Sequence, residues 1–304
     1  MAYDRDEFVR LLTDYYDFCN RVFWDGTVAH APPGGWPSIN QETLATLKRN
    51  DTVIDLLRHI PYVNYTGNNL SLSPFIMEST PVTDYRSEDL QKDICKGYIE
   101  GLVAPITGQD PPIPPSCAGI AICTGRNGYQ VILDTDDGYI YWGDPIGQHD
   151  EHAPALNSTL QRFRGDPTNE WRLAGFNVYE PADFFALCKE RYRELNWIGL
   201  GASNLSVMRR NMNWEYESEP DSDSDPEDDY SHNKLARKMK KAGWPGDGEG
   251  RDWDKAKFER LLGQGNAEED IILPIAYEFL AKAQAFTEGD LGEEHYGFDF
   301  LEPF

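Results

Sequence analysis

Two histidines, His149 and His152, enclose Asp150 and Glu151, and Asp144 lies just upstream. Imidazole and carboxylate groups together form a donor set for Zn²⁺ or a related ion. On a helix, a three-residue step would bring both rings to one face. The same groups could act as acid and base in a small-molecule hydrolase or tailoring enzyme. Their neighbours argue for a plainer reading. Gly147-Gln148 before the pair and Ala153-Pro154 after it suggest a loop, and the spacing matches no metalloenzyme pattern such as H-E-x-x-H. The expectation is a solvated loop with no metal and no cofactor; catalysis by His149 and His152 with Asp144 is the alternative.

Other groups invite similar tests. Cys123 sits inside an apolar strand and reads as a small core thiol rather than a nucleophile. Gly125 and Gly128 frame a turn that opens no helix, so a phosphate cradle is not expected. Glu100, Asp134, Asp136 and Asp137 resemble paired catalytic acids, but closeness in sequence is ordinary in a chain with 52 acids. Tyr139, Tyr141 and Trp142 have two readings. They are core against helices, or one strand face is open and they form a recognition surface ending at Asp144.

The element that must position these residues runs from Ile120 to Asp144. Three short runs rich in Ile, Val, Tyr and Trp are separated by Gly125–Gly128 and Thr135–Gly138, which supply hairpin turns. This predicts a three-stranded meander. Upstream, Phe8, Leu11, Leu12, Tyr15, Cys19 and Val22 recur at helical steps over residues 4–23, with acids in the first turn. Ser38 and Gln41 resemble a capping box for a second helix through Leu44 and Leu47. Asn50 and Asp51 start another that ends before Pro61. Phe75–Met77 reads as a strand. Ser87 caps a helix with Leu90, Ile94 and Tyr98 on one stripe. Beyond the meander, Leu156–Phe163 reads as a short helix, Trp171–Val178 as a strand, and Pro181 as lying in the first turn of a helix carrying Phe184, Phe185, Leu187, Cys188 and Tyr192.

Composition changes near Asn211. Glu215–Asp229 contains no basic residue and is too polar for a core, which predicts a disordered connector. In it Ser218, Ser222 and Ser224 each precede an acid by three residues, a pattern suited to acid-directed kinases. A basic helix follows from Lys234 to Lys241, and a second Gly-Trp-Pro at 243–245 introduces a helix through Phe258, Leu261 and Leu262. Ile271–Phe286 reads as a further helix. The expected organisation is an α+β domain over 1–205, a connector over 206–231, a helical segment over 232–286 docking on the first domain, and an acidic-aromatic tail over 287–304.

The net charge is −24. Such a field repels nucleic acid and anionic membranes and favours a basic protein partner. Five scattered cysteines without C-x-x-C point to reduced thiols and a cytoplasmic or nuclear setting. The opening residues lack a signal-peptide pattern, and no run has transmembrane length.

An early helix, Gly-Gly-Trp-Pro at 34–37, a helix ending in His-Ile-Pro-Tyr at 59–62, the turns of Gly125–Asp144 and the closing Glu180-Pro-Ala-Asp-Phe-Phe together resemble the SMI1/KNR4 (SUKH) superfamily, in a divergent fungal form. The resemblance covers about residues 1–200. It implies an antiparallel sheet with helices on one face and a protein-binding, regulatory role. Members of that superfamily include fungal regulators of cell-wall synthesis and signalling, and bacterial immunity proteins that neutralise toxins.

Overall fold

The computed structural model describes residues 3–65, 74–98, 113–123, 128–144, 151–173, 175–200, 206–209 and 232–263. Contacts divide the chain into residues 1–258 and residues 259–304; of the latter, the described residues 259–263 are helical. The fold is α+β, with helices and antiparallel sheets.

Helix α1 spans Arg5–Val22 and opens where Asp4 accepts the Glu7 amide proton at 3.0 Å. Its buried stripe runs from Phe8 through Leu12, Tyr15 and Cys19 to Val22. The stripe meets α4, Pro181–Arg193, through Phe8–Phe185, Tyr15–Phe185 and Phe18–Tyr192 ring contacts. Between them in sequence, α2 (Asp51–His59) is capped by Asn50, and α3 (Glu88–Lys96) by Ser87.

The principal sheet is a meander of β5 (Cys117–Ala121), β6 (Gln130–Asp134), β7 (Tyr139–Gly143) and β8 (Phe176–Tyr179), each antiparallel to the next. Smaller antiparallel pairs join β1 (Gly26–Ala29) to β2 (Tyr62–Tyr65), β3 (Phe75–Met77) to β4 (Thr80–Pro81), and β9 (Trp197–Leu200) to β10 (Ser206–Arg209). The Tyr15 and Tyr192 hydroxyls both donate to the Ile76 carbonyl, at 2.9 and 3.0 Å. Helices α1 and α4 are thereby fixed to β3.

Register decides the two faces of the meander. Val131 lies opposite Trp142, and Leu133 opposite Ile140. On this face Trp142 meets Phe184 of α4 at 5.6 Å and Trp197 at 6.1 Å. Ile132 lies opposite Tyr141, and Tyr141 opposite Val178. That second face is covered by Leu160 and Trp171, which belong to 3₁₀ helices at Ala155–Phe163 and Glu170–Leu173. So the sheet carries α-helix on one face, as expected, and 3₁₀ turns on the other. Asn157 finishes the β8 edge, accepting from the Val178 amide at 2.8 Å and donating to the Phe176 carbonyl at 3.2 Å.

Three local expectations are corrected. No α-helix follows Ser38, because the Asn40 side chain takes the Glu42 and Thr43 amides at 2.9 and 3.0 Å. This Asx geometry competes with a helical start; only a 3₁₀ turn, Ala45–Leu47, forms, although Leu44 and Leu47 are buried as expected. Tyr98 leaves the α3 stripe and is 71% exposed, because Gly97 ends the helix at φ 88°. Trp171 is in a 3₁₀ helix, and the strand begins at Phe176.

Residues 232–258 are part of the first unit. Helix α5 (His232–Lys241) buries Leu235 and Met239. After it, Trp244 is 3% exposed and donates its indole N–H to the Tyr192 carbonyl at 2.9 Å. Glu249 forms ion pairs with Lys189 and Arg193 of α4, and Arg21 of α1 donates to its carbonyl at 2.7 Å. The division between the two units falls after Phe258. Helix α6, Lys255–Gly263, starts well beyond the second Gly-Trp-Pro rather than directly from it. The 206–231 connector outside β10, with its three serines, the 271–286 helix and the 287–304 tail lie outside the described residues.

Candidate functional site

The β6–β7 turn, Thr135–Gly138, closes tightly because Gly138 takes φ 77° and Asp134 accepts the Asp136 amide at 3.0 Å. It separates two features of different character, one on each face of the sheet.

On the face carrying Tyr141, the turn presents Asp134 and Asp137 to Arg172. Asp134 is fully buried and pairs with the Arg172 guanidinium. Arg172 Nε donates to the Tyr141 hydroxyl at 3.0 Å, and that hydroxyl donates to Asp137 Oδ2 at 2.7 Å. The guanidinium also lies 4.5 Å from the Trp171 ring and 4.8 Å from that of Phe163. Burial pushes the Asp137 carboxyl above its ordinary range, against the Tyr141 hydrogen bond that lowers it. Two of the suspected acids are thus brought together in space. They face a shared cation in a packed interior, which suits anchoring of the hairpin better than attack on a substrate.

The opposite face ends in a small pocket of about 90 Å³ where the N-terminal ends of α1 and α4 meet the turn. Tyr3, Phe8, Leu11, Leu133, Pro181 and Ala182 form its largely apolar wall, with Asp4 and Glu7 also lining it. The Tyr3 phenolic oxygen is buried with no hydrogen-bond partner. Its acidity is suppressed, first by burial and then by the negative charge of Asp55.

The residues singled out from the sequence are distributed differently. Tyr141 and Trp142 are fully buried on opposite faces, and Asp144 is buried as well. They do not form an open recognition surface, because both faces of the sheet are covered. Tyr139 is half-buried and packs on the Tyr141 side of the core. His152 is exposed in a loop, and His149 lies outside the described residues. Glu151 beside His152 is committed to Arg191 of α4. Among the described residues, no three His, Cys, Asp or Glu side chains converge where they could hold a metal ion. Cys123 is not inside a strand as expected: β5 ends at Ala121, and Cys123 lies half-buried two residues beyond it. Glu100 and residues 124–127 lie outside the described residues.

Arg172 and the pocket went unseen in the sequence. Arg172 meets Asp134 across 38 positions; its signal was a lone base between Trp171 and Leu173. The pocket joins residues 3–11, 133–138 and 181–182, which share no local pattern.

No family model matches this chain, and no curated protein or solved structure matches it significantly. No helix among the described residues is long and apolar enough to cross a membrane.

Proposed function

We propose that this chain is an intracellular protein-interaction and regulatory module of the SMI1/KNR4-like type, presenting an acidic surface to a basic protein. The observation that carries this reading is the disposition of its charge. The chain holds 52 acids against 28 bases, and three of the bases, Arg49, Arg172 and Lys189, are buried. Asp4, Asp6, Glu7, Asp25, Asp136 and Asp183 are exposed. A field of this sign attracts cationic partners and repels phosphate backbones and anionic lipid. The unbridged thiols Cys19, Cys95, Cys117, Cys123 and Cys188 support a reducing setting, cytoplasmic or nuclear.

Titration calorimetry with a Lys/Arg-rich peptide tests the reading. Saturable one-to-one binding is expected at about 0.15 M salt, weakening as salt rises and the Debye length shrinks. No saturable binding, or equal affinity for a DNA duplex or an anionic vesicle, would refute it.

A further inference from the structure

We infer that the pocket between the N-terminal ends of α1 and α4 is a docking point for one aliphatic side chain of a basic partner, with Lys or Arg on either side of it. The inference rests on the acidic-surface reading above and gives that surface a specific anchor.

Size selects the anchor. A volume of about 90 Å³ exceeds what one water needs and falls short of the roughly 150 Å³ cavity that takes benzene. A Leu, Ile or Met side chain fits between those limits, whereas an indole does not. The wall selects chemistry in the same direction, since Phe8, Leu11, Leu133, Pro181 and Ala182 offer carbon to the occupant. A charged head would lose its hydration there without a partner. Tyr3 contributes to the same wall.

Charge selects the flanks. Asp4 and Glu7 line the opening. Asp6 follows on α1, Asp183 follows Ala182, and the exposed Asp136 lies in the turn before Gly138. Against these acids stand Arg5, held by Asp6 and Asp55, and Arg10, held by Glu7. The surroundings are therefore net negative, which favours Lys and Arg beside the anchor and disfavours Asp and Glu. Both helix N-termini are also positive dipole ends. At α1 that end is answered by the Asp4 carboxylate, so an anionic ligand would compete with a group already in place.

The test uses the full chain and three fluorescent peptides of identical Lys/Arg content whose central residue is Ala, Leu or Trp. The Leu peptide should bind roughly 10- to 100-fold more tightly than the Ala peptide, as burial of one aliphatic side chain implies. The Trp peptide should gain little over Ala. Because this comparison is made on the wild-type protein, it is independent of any variant's folding. Ala182→Leu fills the pocket from an exposed helical position with a good helix former, and should bring the Leu-to-Ala ratio close to one. Asp183→Lys, at an exposed residue outside the pocket wall, should weaken all three peptides while leaving their ratios unaltered. Equal binding of the Ala and Leu peptides to wild type, or an unaltered ratio in a folded Ala182→Leu variant, overturns the pocket while leaving the acidic surface standing. Failure of every peptide to bind wild type overturns the acidic-surface reading and the pocket with it.

Discussion

Replacing Trp244 by Ala should destabilise the protein by about 3–5 kcal/mol, the usual cost of truncating a buried tryptophan. The indole is 3% exposed, meets Trp253 at a centroid distance of 5.3 Å and Phe18 at 6.4 Å. An aromatic side chain of this kind buries roughly 150–250 Å². At about 25 cal/mol per Å² that is roughly 4–6 kcal/mol, an upper value because the unfolded chain is partly compact. The lost hydrogen bond adds little. The Tyr192 carbonyl also accepts the Leu195 amide at 3.1 Å, so it is not orphaned. Urea unfolding followed by far-UV circular dichroism measures the effect without relying on the removed fluorophore. The midpoint should fall with the slope unchanged. At roughly 2–4 °C per kcal/mol for domains of 150–250 residues, the melting temperature should drop by about 6–20 °C. Tyr98→Ala, at a side chain 71% exposed, is the control and should shift stability by no more than about 0.5 kcal/mol. A loss below about 1 kcal/mol for Trp244→Ala would show that residues 242–258 contribute little to the core, and would refute their assignment to the first unit.

Three further outcomes follow from the same interior. Arg172→Met keeps much of the stacking on Trp171 but strands Asp134, and should cost about 3–5 kcal/mol; adding Asp134→Leu should recover much of that loss, and a double-mutant cycle that proves additive would contradict the pairing. Gly199 lies against the Phe23 ring, with no room for a Cβ, so Gly199→Ala should cost about 1–3 kcal/mol or more in thermal unfolding; a wild-type melting temperature would exclude that close packing. Asp137 has a raised folded pKa because of burial, so the folded state holds its proton more tightly than the unfolded chain does. Its contribution is fully present below the ordinary value near 3.8 and is lost as pH rises through the raised folded value. Wild type should therefore lose stability relative to Asp137→Asn across that window, as melting curves at stepped pH would report; a constant difference would mean that no shift exists.

What the sequence determined by itself was local. The α1 stripe, the Asn50 and Ser87 caps, Pro181 opening α4 and the Thr135–Gly138 hairpin were readable because each depends on residues within a few positions, where backbone preference and apolar period agree. The same locality explains the failures. Ser38 and Gln41 had the spacing of a capping box, but Asn40 offered the backbone a competing hydrogen bond, and Tyr98 kept the period of α3 past a glycine that had ended it. Tertiary structure decided the rest. The alternation at Tyr141 and Trp142 established that they occupy opposite faces, yet whether either face met water depended on elements dozens of residues away. Leu160 and Trp171 cover one, Phe184 and Trp197 the other. The Arg172 pairing and the pocket behind the same turn arise likewise from contacts between distant segments. Their energies depend on burial and on distance in space, which the spacing of residues along the chain does not encode.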